Sequence, residues 1–433
     1  MKEQWIHEQF SKIDVGDARL QKRAVDVAIG CAERPEESLA GRFEEWADLK
    51  ASYRFFSNPK ITHQALQQPH YVQVLEKACY SEELVLFIQD GSELLFNSHP
   101  WTHGLGPTAD SNGNGLMFHS CLVAKYYDES EETKILGLGY QEAWVRPEKK
   151  SKADKSKESE VWLRTLKKMG PPKTNWVTVG DRANDIYDFL HNANRLGWKY
   201  VIRARHDRKV EIDGKETRLF SWIRQLTANC TSKLYVKARG EEISGEVTLE
   251  ITWVKTKLFP PGSTEVGGEE VTYIRVWCSE RPGLEWLLIT NLAINNKEDA
   301  LKVVRIYRRR WLIEDYHKAV KTGFRIEDTQ LKQASRILAL FGMIGVIATQ
   351  LLAIREHCRL CPATPVEEKI PVGWITLVER HLKVKLKSVR DFWRALARMG
   401  GFIGRKSDGE PGWQTIWKGC KRLQDMLLGA DLL

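Results

Sequence analysis

The chain has 433 residues, with 66 lysines and arginines against 57 aspartates and glutamates, which gives a formal net charge of +9 at neutral pH. This length predicts two to four domains, and the basic balance favours a polyanionic partner, although charge alone does not establish that a protein binds nucleic acid. The eight cysteines are scattered without a short-range framework, so we expect reduced thiols in a cytoplasm, not a disulfide-stabilised secreted domain.

The first 70 residues are predicted to form short helices. Residues 15–19 are typical of a helix start, and they lead into a basic amphipathic stretch that carries Arg19 and Arg23. A second helix, which carries Arg54, is expected to end at the Asn-Pro pair of residues 58–59. The amino terminus carries acids early and has no apolar segment of the secretory kind, so we expect no secretory signal.

Two short apolar runs each lead to an aspartate. Residues 84–88 lead through Gln89 to Asp90, and residues 176–179 lead through Gly180 to Asp181. Short apolar runs bounded by polar residues are typical of buried strands, so each aspartate is expected at the carboxyl end of a strand. Taken alone, such an aspartate is more often a turn or helix-cap residue than a metal ligand.

Other strands and helices are predicted around these two runs. Between residues 71 and 205, strands are expected at Leu116–Val123, Ile135–Tyr140 and Tyr200–Ala204, and helices at Ser159–Met169 and Asp185–Leu196. Between residues 206 and 283, alternating patterns predict an antiparallel sheet with strands at Leu234–Ala238, Val247–Ile251 and Val271–Val276. The lysine-rich segment 149–157 is interpreted as a solvated loop more readily than as a DNA contact.

A third acidic residue, Glu314, lies in a basic segment that is predicted to be one helix. At 100° per residue, an arc of about 60° contains Tyr307, Arg310, Glu314 and Lys321, and Trp311 and Lys318 widen it to about 100°. A lone glutamate on a charged helix is usually a solvated surface residue. The combination of Glu314 with the two strand-end aspartates is what indicates a catalytic site.

The apolar run from Ile337 to Ile354 has 18 residues without a charge, which is the lower limit for a membrane span. Because it contains two glycines, a threonine and a glutamine, we expect a buried core helix instead. A linker at residues 361–366 and a small helical module up to residue 433 follow, with a last helix at Leu423–Leu432.

Two aspartates and a glutamate are sufficient for metal-assisted phosphodiester chemistry if the fold brings them together. Two divalent ions about 3.5–4 Å apart can activate a nucleophile and stabilise the leaving oxygen. Hard cations such as Mg²⁺ are held by one or two carboxylates together with the substrate phosphate. The three acids are therefore candidate metal ligands.

The same residues occur in the pattern of a known family. The chain resembles the DDE transposases of bacterial insertion sequences, in the group that carries a Tyr-Arg-Glu-Lys constellation, here Tyr307, Arg310, Glu314 and Lys321. Further similar blocks, in order, are Gln89–Asp90, His119–Ser120, Gln141–Pro147, Gly180–Ile186, Trp286–Thr290 and Met399–Phe402. The resemblance covers nearly the whole chain.

The resemblance implies an α/β protein with an RNase H-like mixed-sheet catalytic core, an antiparallel β insertion, and helical amino- and carboxy-terminal domains. It implies DNA-end binding by residues 1–70, a catalytic core at 71–205 and 284–365, a β insertion at 206–283, and helical dimerisation at 366–433. Because the sequence stops shortly after its last predicted helix, we expect a shorter dimerisation end than in the family, and the family's dimer contacts are not carried over to individual residues. The implied function is cut-and-paste transposition by a homodimer that acts on terminal inverted repeats and target DNA with Mg²⁺, for which Mn²⁺ can substitute.

The resemblance also implies roles for individual residues. Catalysis and metal binding fall to Asp90, Asp181 and Glu314. DNA contacts fall to Tyr307, Arg310, Lys318, Lys321, Trp286, Trp311, Arg182, Arg19, Arg23 and Arg54. Trp286 would stack on a flipped base during hairpin formation, although a core role within a strand is an alternative. Two other functions stay open, namely an inactive regulator that binds transposon ends and a metal-dependent nuclease without strand transfer.

Overall fold

A mixed sheet of twelve strands organises the part of the chain that the structure describes. The structure is a computed structural model, and it describes residues 3–108, 113–148, 158–212, 214–236, 245–261, 268–405 and 408–430. The lysine-rich segment 149–157 lies outside the described residues. The strands are β1 (Leu84–Leu95), β2 (Gly106–Pro107), β3 (Asn114–Tyr127), β4 (Glu132–Trp144), β5 (Trp176–Gly180), β6 (Lys199–Arg203), β7 (Lys209–Ile212), β8 (Lys215–Arg218), β9 (Cys230–Val236), β10 (Gly245–Leu258), β11 (Glu269–Trp277) and β12 (Glu285–Thr290).

Helices cover the sheet, and they also form the first and last elements of the described residues. They are α1 (Glu3–Phe10), α2 (Ala18–Glu33), α3 (Trp46–Phe56), α4 (His63–Cys79), α5 (Val161–Met169), α6 (Tyr187–Arg195), α7 (Leu219–Ile223), α8 (Lys297–Arg308), α9 (Trp311–Lys318), α10 (Ala334–Leu360), α11 (Val372–Leu382), α12 (Val389–Met399) and α13 (Trp413–Ala430). The amino-terminal helices agree with the prediction. The Asp17 side chain caps α2 by accepting a hydrogen bond from the backbone N–H of Arg19.

The centre of the sheet has the arrangement expected of an RNase H-like core. Strand β1 pairs antiparallel with β3 and parallel with β5, and β5 pairs parallel with β6. Strand β5 and the first half of β1 are buried, and Phe87 and Val179 have no solvent-exposed surface. The predicted α/β fold class is confirmed.

Strand β1 is longer than its apolar run suggested, so the predicted strand end at Asp90 is wrong. Its pairing with β5 stops at Ile88, opposite Val179, but its pairing with β3 continues to Leu95. The antiparallel partner supplies backbone hydrogen bonds beyond the point where the apolar sequence ends. Asp90 therefore lies within a strand, at the edge left where β5 terminates.

The β insertion continues the catalytic sheet. Strand β12 pairs antiparallel with β6 on one side and with β11 on the other, and β11 leads to β10. The antiparallel pattern of residues 206–283 was predicted, whereas its fusion with the core into one sheet was not. Because β12 runs opposite to β6, the first residues of β12 lie at the same edge as the carboxyl ends of β5 and β6.

The segment that carries Glu314 is not the single helix that the sequence predicted. Helix α8 ends at Arg308, α9 begins at Trp311, and a π-helical turn spans Ala319–Gly323. At the break, the N–H groups of Arg309 and Arg310 donate to carbonyls three residues back instead of four. Helical angles counted across the break and into the π turn are consequently shifted from the ideal values.

Helix α10 is the buried core helix that was predicted. Its span Ala334–Cys358 is long and apolar enough to cross a membrane by length and composition, but 72% of its most apolar window is buried inside the protein. The carboxy-terminal helices α11 to α13 form a smaller hydrophobic cluster around Phe392 and Leu396. The last helix begins at Trp413, ten residues earlier than predicted.

Candidate active site

Asp90 is largely shielded from solvent at the edge where β5 ends. Its side chain is 18% exposed, and one of its carboxylate oxygens accepts a hydrogen bond of 2.8 Å from the N–H of Gly91. Burial first, and the negative charge of Asp181 second, together raise the pKa of Asp90 to about 7. Arg310 lowers this pKa and Glu314 adds a smaller increase, so all three groups lie close enough to Asp90 to act on its charge.

Asp181 follows β5 directly, as the sequence predicted. It caps a short 3₁₀ turn at Arg182–Asn184 by accepting from the N–H of Ala183 at 2.9 Å. A Cβ atom at Gly180 would lie 2.5 Å from Nδ2 of Asn184, so the tight turn after the strand requires glycine there. The turn directs Asp181 towards β1.

Asp185 holds this turn in place, a role that the sequence did not reveal. Its buried carboxylate accepts from the backbone N–H groups of Arg205 at 2.7 Å and His206 at 3.0 Å. It also forms an ion pair with Arg208 at 2.5 Å. The second aspartate of the Asp-Arg-Ala-Asn-Asp block thus fixes the loop after β5 to the segment that leaves β6.

Arg310 lies between the carboxylates of Asp90 and Glu314. Its guanidinium lies 2.6 Å from Oε1 of Glu314 and 3.5 Å from Oδ2 of Asp90, and the residue is 8% exposed. These contacts join the carboxylates from β1 and α9, while Asp181 lies within electrostatic range of Asp90. Asp90, Asp181 and Glu314 are referred to below as the carboxylate cluster.

The carboxylate cluster has the donor chemistry of a hard divalent cation site. Its donors are all oxygens. The raised pKa of Asp90 reflects burial first and the negative charge of Asp181 second, and a bound cation would offset both effects. Across the described residues, no three His, Cys, Asp or Glu side chains are already grouped closely enough to hold a metal ion. Arg310 supplies the positive charge between Asp90 and Glu314, so a metal ion could enter only if this guanidinium moved.

Cations and aromatic rings surround the cluster. Tyr307 is buried, and the positive charges of Arg310 and Arg203 act on its hydroxyl group. Arg203 was not predicted as a site residue, because its place at the end of β6 gave no signal beyond a basic segment. The remaining predicted cations of this region are the exposed Arg182, the exposed Lys318 and the half-buried Lys321.

The two predicted tryptophans differ in their environment. Trp286 is half-buried near the start of β12, with its ring 5.7 Å from that of Tyr307. Trp311 is 52% exposed, and the guanidinium of Arg310 lies 4.7 Å from its ring centroid. Trp311 therefore does not pack into the sheet, and it supports the position of Arg310 through a cation–π contact.

The amino-terminal arginines lie on α2 and α3. The side chain of Arg19 is 94% exposed, whereas Arg23 is partly neutralised by Asp48 at 2.9 Å. Arg54 is exposed on α3, and four-residue steps along that helix place the exposed Lys50 and Trp46 on the same face. Trp46 is 70% exposed. Its four-residue spacing from Lys50 and Arg54 could have indicated a shared helix face, but it was not identified from the sequence.

Three family models match the chain in order. A transposase DNA-binding model matches residues 2–61, a transposase DDE domain model matches residues 149–351, and a transposase Tn5 dimerisation domain model matches residues 370–432. The DDE match contains Asp181 and Glu314, while the place of Asp90 in the site rests on the geometry above. The chain therefore belongs to the DDE transposases of the Tn5 type, as a metal-dependent DNA transposase that binds DNA and forms a homodimer.

Proposed function

We propose that this transposase moves its element by cut-and-paste transposition, with Asp90, Asp181 and Glu314 as the ligands of Mg²⁺, which Mn²⁺ can replace. The convergence of these carboxylates from β1, the loop after β5 and α9 is the observation that carries the proposal. When bound, two divalent ions would activate the attacking oxygen and stabilise the leaving oxygen of a phosphodiester.

The protein groups around the cluster would hold the DNA strand. Arg310, Tyr307 and Lys321 are suited to grip the phosphate at the transposon end, because guanidinium groups bind phosphate oxygens in pairs. Arg182 and Lys318 are exposed beside them and extend the cationic surface. Arg310 would exchange its carboxylate partners for the phosphate when DNA and metal ions bind.

Hairpin formation and strand transfer complete the proposed reaction. Trp286 is half-buried beside Tyr307, so part of its ring remains available to stack on a flipped base. The stacked base would relieve the sharp bend of a DNA hairpin. This role distinguishes the proposed transposition from simple nicking.

The natural substrates would be the terminal inverted repeats of the element and its target DNA, in the bacterial cytoplasm. Arg19, Arg23 and Arg54 would contact the repeat from α2 and α3, and the exposed Trp46 and Lys50 belong to the same surface. Phosphate contacts from such residues position a protein on DNA, while contacts to base edges provide specificity.

Alanine substitution of the carboxylate cluster tests the proposal. We expect Asp90→Ala, Asp181→Ala and Glu314→Ala each to abolish cleavage of labelled end DNA while end binding persists, because metal ligands act as a unit. Asp188→Ala, which removes an exposed aspartate on α6, is the matched control. Cleavage near the wild-type rate in any cluster variant would contradict the metal mechanism. End binding without any cleavage by the wild-type protein would instead favour a regulator whose DNA binding is its function.

A further inference from the structure

A second group of charged side chains lies beside the carboxylate cluster. Glu285, the first residue of β12, accepts two hydrogen bonds from Arg224, at 3.2 and 2.7 Å, and one from Arg275, at 2.8 Å. Arg275 also donates to the backbone carbonyl of Arg224 at 3.1 Å, and its guanidinium lies 4.1 Å from the ring centroid of Trp277. These contacts fix two guanidinium groups in position before any ligand binds.

The two guanidinium groups line a cavity of about 40 Å³. Arg182 forms another part of the wall, and Phe220 and Leu287 contribute apolar surface. Three arginines against one glutamate leave a net charge of +2 on the lining, so Glu285 neutralises only part of the positive charge. This size and charge suit a small anionic group.

The cavity lies at the reactive edge of the sheet. Leu288 of β12 pairs with Arg203 at the end of β6, so Glu285 extends past the carboxyl end of β6. Arg182 directly follows Asp181 and so connects the cavity to the carboxylate cluster. A DNA strand that crosses the cluster along this edge would pass over the cavity.

We propose that Arg182, Arg224 and Arg275 form a phosphate-binding pocket for the DNA backbone, adjacent to the carboxylate cluster. This proposal rests on the proposed function, because the strand that enters the cluster supplies the phosphate. Preordered guanidinium groups lose little conformational freedom on binding and can each offer paired donors to phosphate oxygens. Glu285 orients two of them and opposes the phosphate electrostatically, so it limits the affinity of the pocket.

DNA-binding measurements on pocket variants test the proposal. Fluorescence anisotropy would follow a labelled duplex that carries the element's own end, over a range of salt concentrations and without divalent ions, so that no cleavage occurs. We expect Arg224→Ala and Arg275→Ala each to weaken binding about tenfold and to lower the log–log salt slope by about 0.9. Lys233→Ala is the control, because Lys233 is an exposed cation that is likewise paired with a glutamate, at 2.8 Å.

Glu285→Gln provides a second variant with the opposite expectation. It keeps the size of the side chain and removes its negative charge, so binding should become stronger. The proposal would be overturned if Arg224→Ala and Arg275→Ala both reduced the affinity for the duplex no more than Lys233→Ala does. It would also be overturned if Glu285→Gln left that affinity unchanged. If wild-type protein bound the duplex with no salt dependence, the proposed function itself would fail, and this outcome is distinct from a failure of the pocket.

Discussion

Arg310 occupies the position at which a metal ion would neutralise Asp90 and Glu314. We predict that Arg310→Ala binds Mn²⁺ more tightly than the wild type in the absence of DNA, by about tenfold, because a competing cation has been removed. Titration followed by electron paramagnetic resonance measures this directly. Arg308→Ala, which removes a neighbouring arginine paired with Glu131, should leave the affinity unchanged. Equal or weaker binding in Arg310→Ala would show that the guanidinium does not exclude the ion.

The pKa of Asp90, raised to about 7 by burial and by Asp181, predicts a pH-dependent stability. The folded protein binds a proton at Asp90 that the unfolded chain loses near its ordinary pKa of about 3.9, so stability falls as pH rises from about 4 to 7. Asp90→Asn should therefore stabilise the metal-free protein by about 4 kcal/mol at pH 8 and have no effect at pH 4. Urea unfolding at both pH values measures the difference. A stabilisation that is the same at pH 4 would rule out titration of Asp90 as its cause.

Trp286 distinguishes hairpin formation from nicking. If it stacks on a flipped base, Trp286→Ala should make the first nick and then stall, with a loss of about 1–3 kcal/mol in hairpin formation or resolution. A purely structural tryptophan would instead cost about 3–5 kcal/mol of stability and weaken every activity together. Time courses on labelled end DNA, run beside a melting curve, separate the two outcomes. Trp101→Ala, at a site that is 75% exposed, is the control.

At the scale of elements, a buried polar network holds α9 against the sheet. The side-chain amide nitrogen of Gln141, on β4, donates to the hydroxyls of Tyr316 at 2.8 Å and Ser120 at 2.9 Å. The side-chain amide oxygen accepts from His63 and Gln67 of α4. Tyr316 is two residues from Glu314. The network therefore connects α4, β3 and β4 to the helix that carries the third acid.

Removal of one hydroxyl tests whether this network positions Glu314. We predict that Tyr316→Phe lowers stability by about 1–3 kcal/mol, because it leaves one buried N–H of the Gln141 amide without an acceptor. It should also lower the cleavage rate constant at saturating metal while the affinity for end DNA is unchanged. Tyr187→Phe on α6 is the control. A loss of stability without any change in the rate constant would mean that the network only supports the fold.

At the scale of the whole molecule, the carboxy-terminal helices pack directly on the catalytic core. Arg355 of α10 forms an ion pair with Asp315 at 2.6 Å and lies 4.6 Å from the ring centroid of Trp413. Gly323 is the last residue of the π turn that contains Lys321. It lies so close to Trp417 that a Cβ atom added at Gly323 would overlap the indole ring. The π turn that follows α9 is thus part of the contact with α13, which lies in the segment matched by the dimerisation domain model.

This packing predicts a large difference between two glycine-to-alanine changes. Gly323→Ala should destabilise the contact by about 1–3 kcal/mol, because the added methyl group overpacks the space beside Trp417. Gly283→Ala, at a position with open space around it, should have little effect. Limited proteolysis of the linker at residues 361–366 would report the difference. Equal cleavage rates in the two variants would show that the contact tolerates the extra volume.

The sequence by itself determined the fold class and the order of the elements, and it named candidate residues for the chemistry. Apolar runs, period-two patterns and turn residues depend on local sequence, so β5, the antiparallel insertion and the buried helix α10 could be predicted. The Tyr-Arg-Glu-Lys constellation, through its resemblance to a known family, predicted Glu314 as a metal ligand.

Only the tertiary structure decided how these residues meet. The extension of β1 past Asp90 depends on backbone pairing with β3, and the break between α8 and α9 accompanies the placement of a buried Arg310 between two acids. The pocket around Glu285 of β12 includes Arg275 of β11, 10 positions away in the chain, and Arg224 directly after α7, 61 positions away. Such contacts join distant segments, and no local periodicity encodes them, because they depend on which strands become neighbours in the sheet.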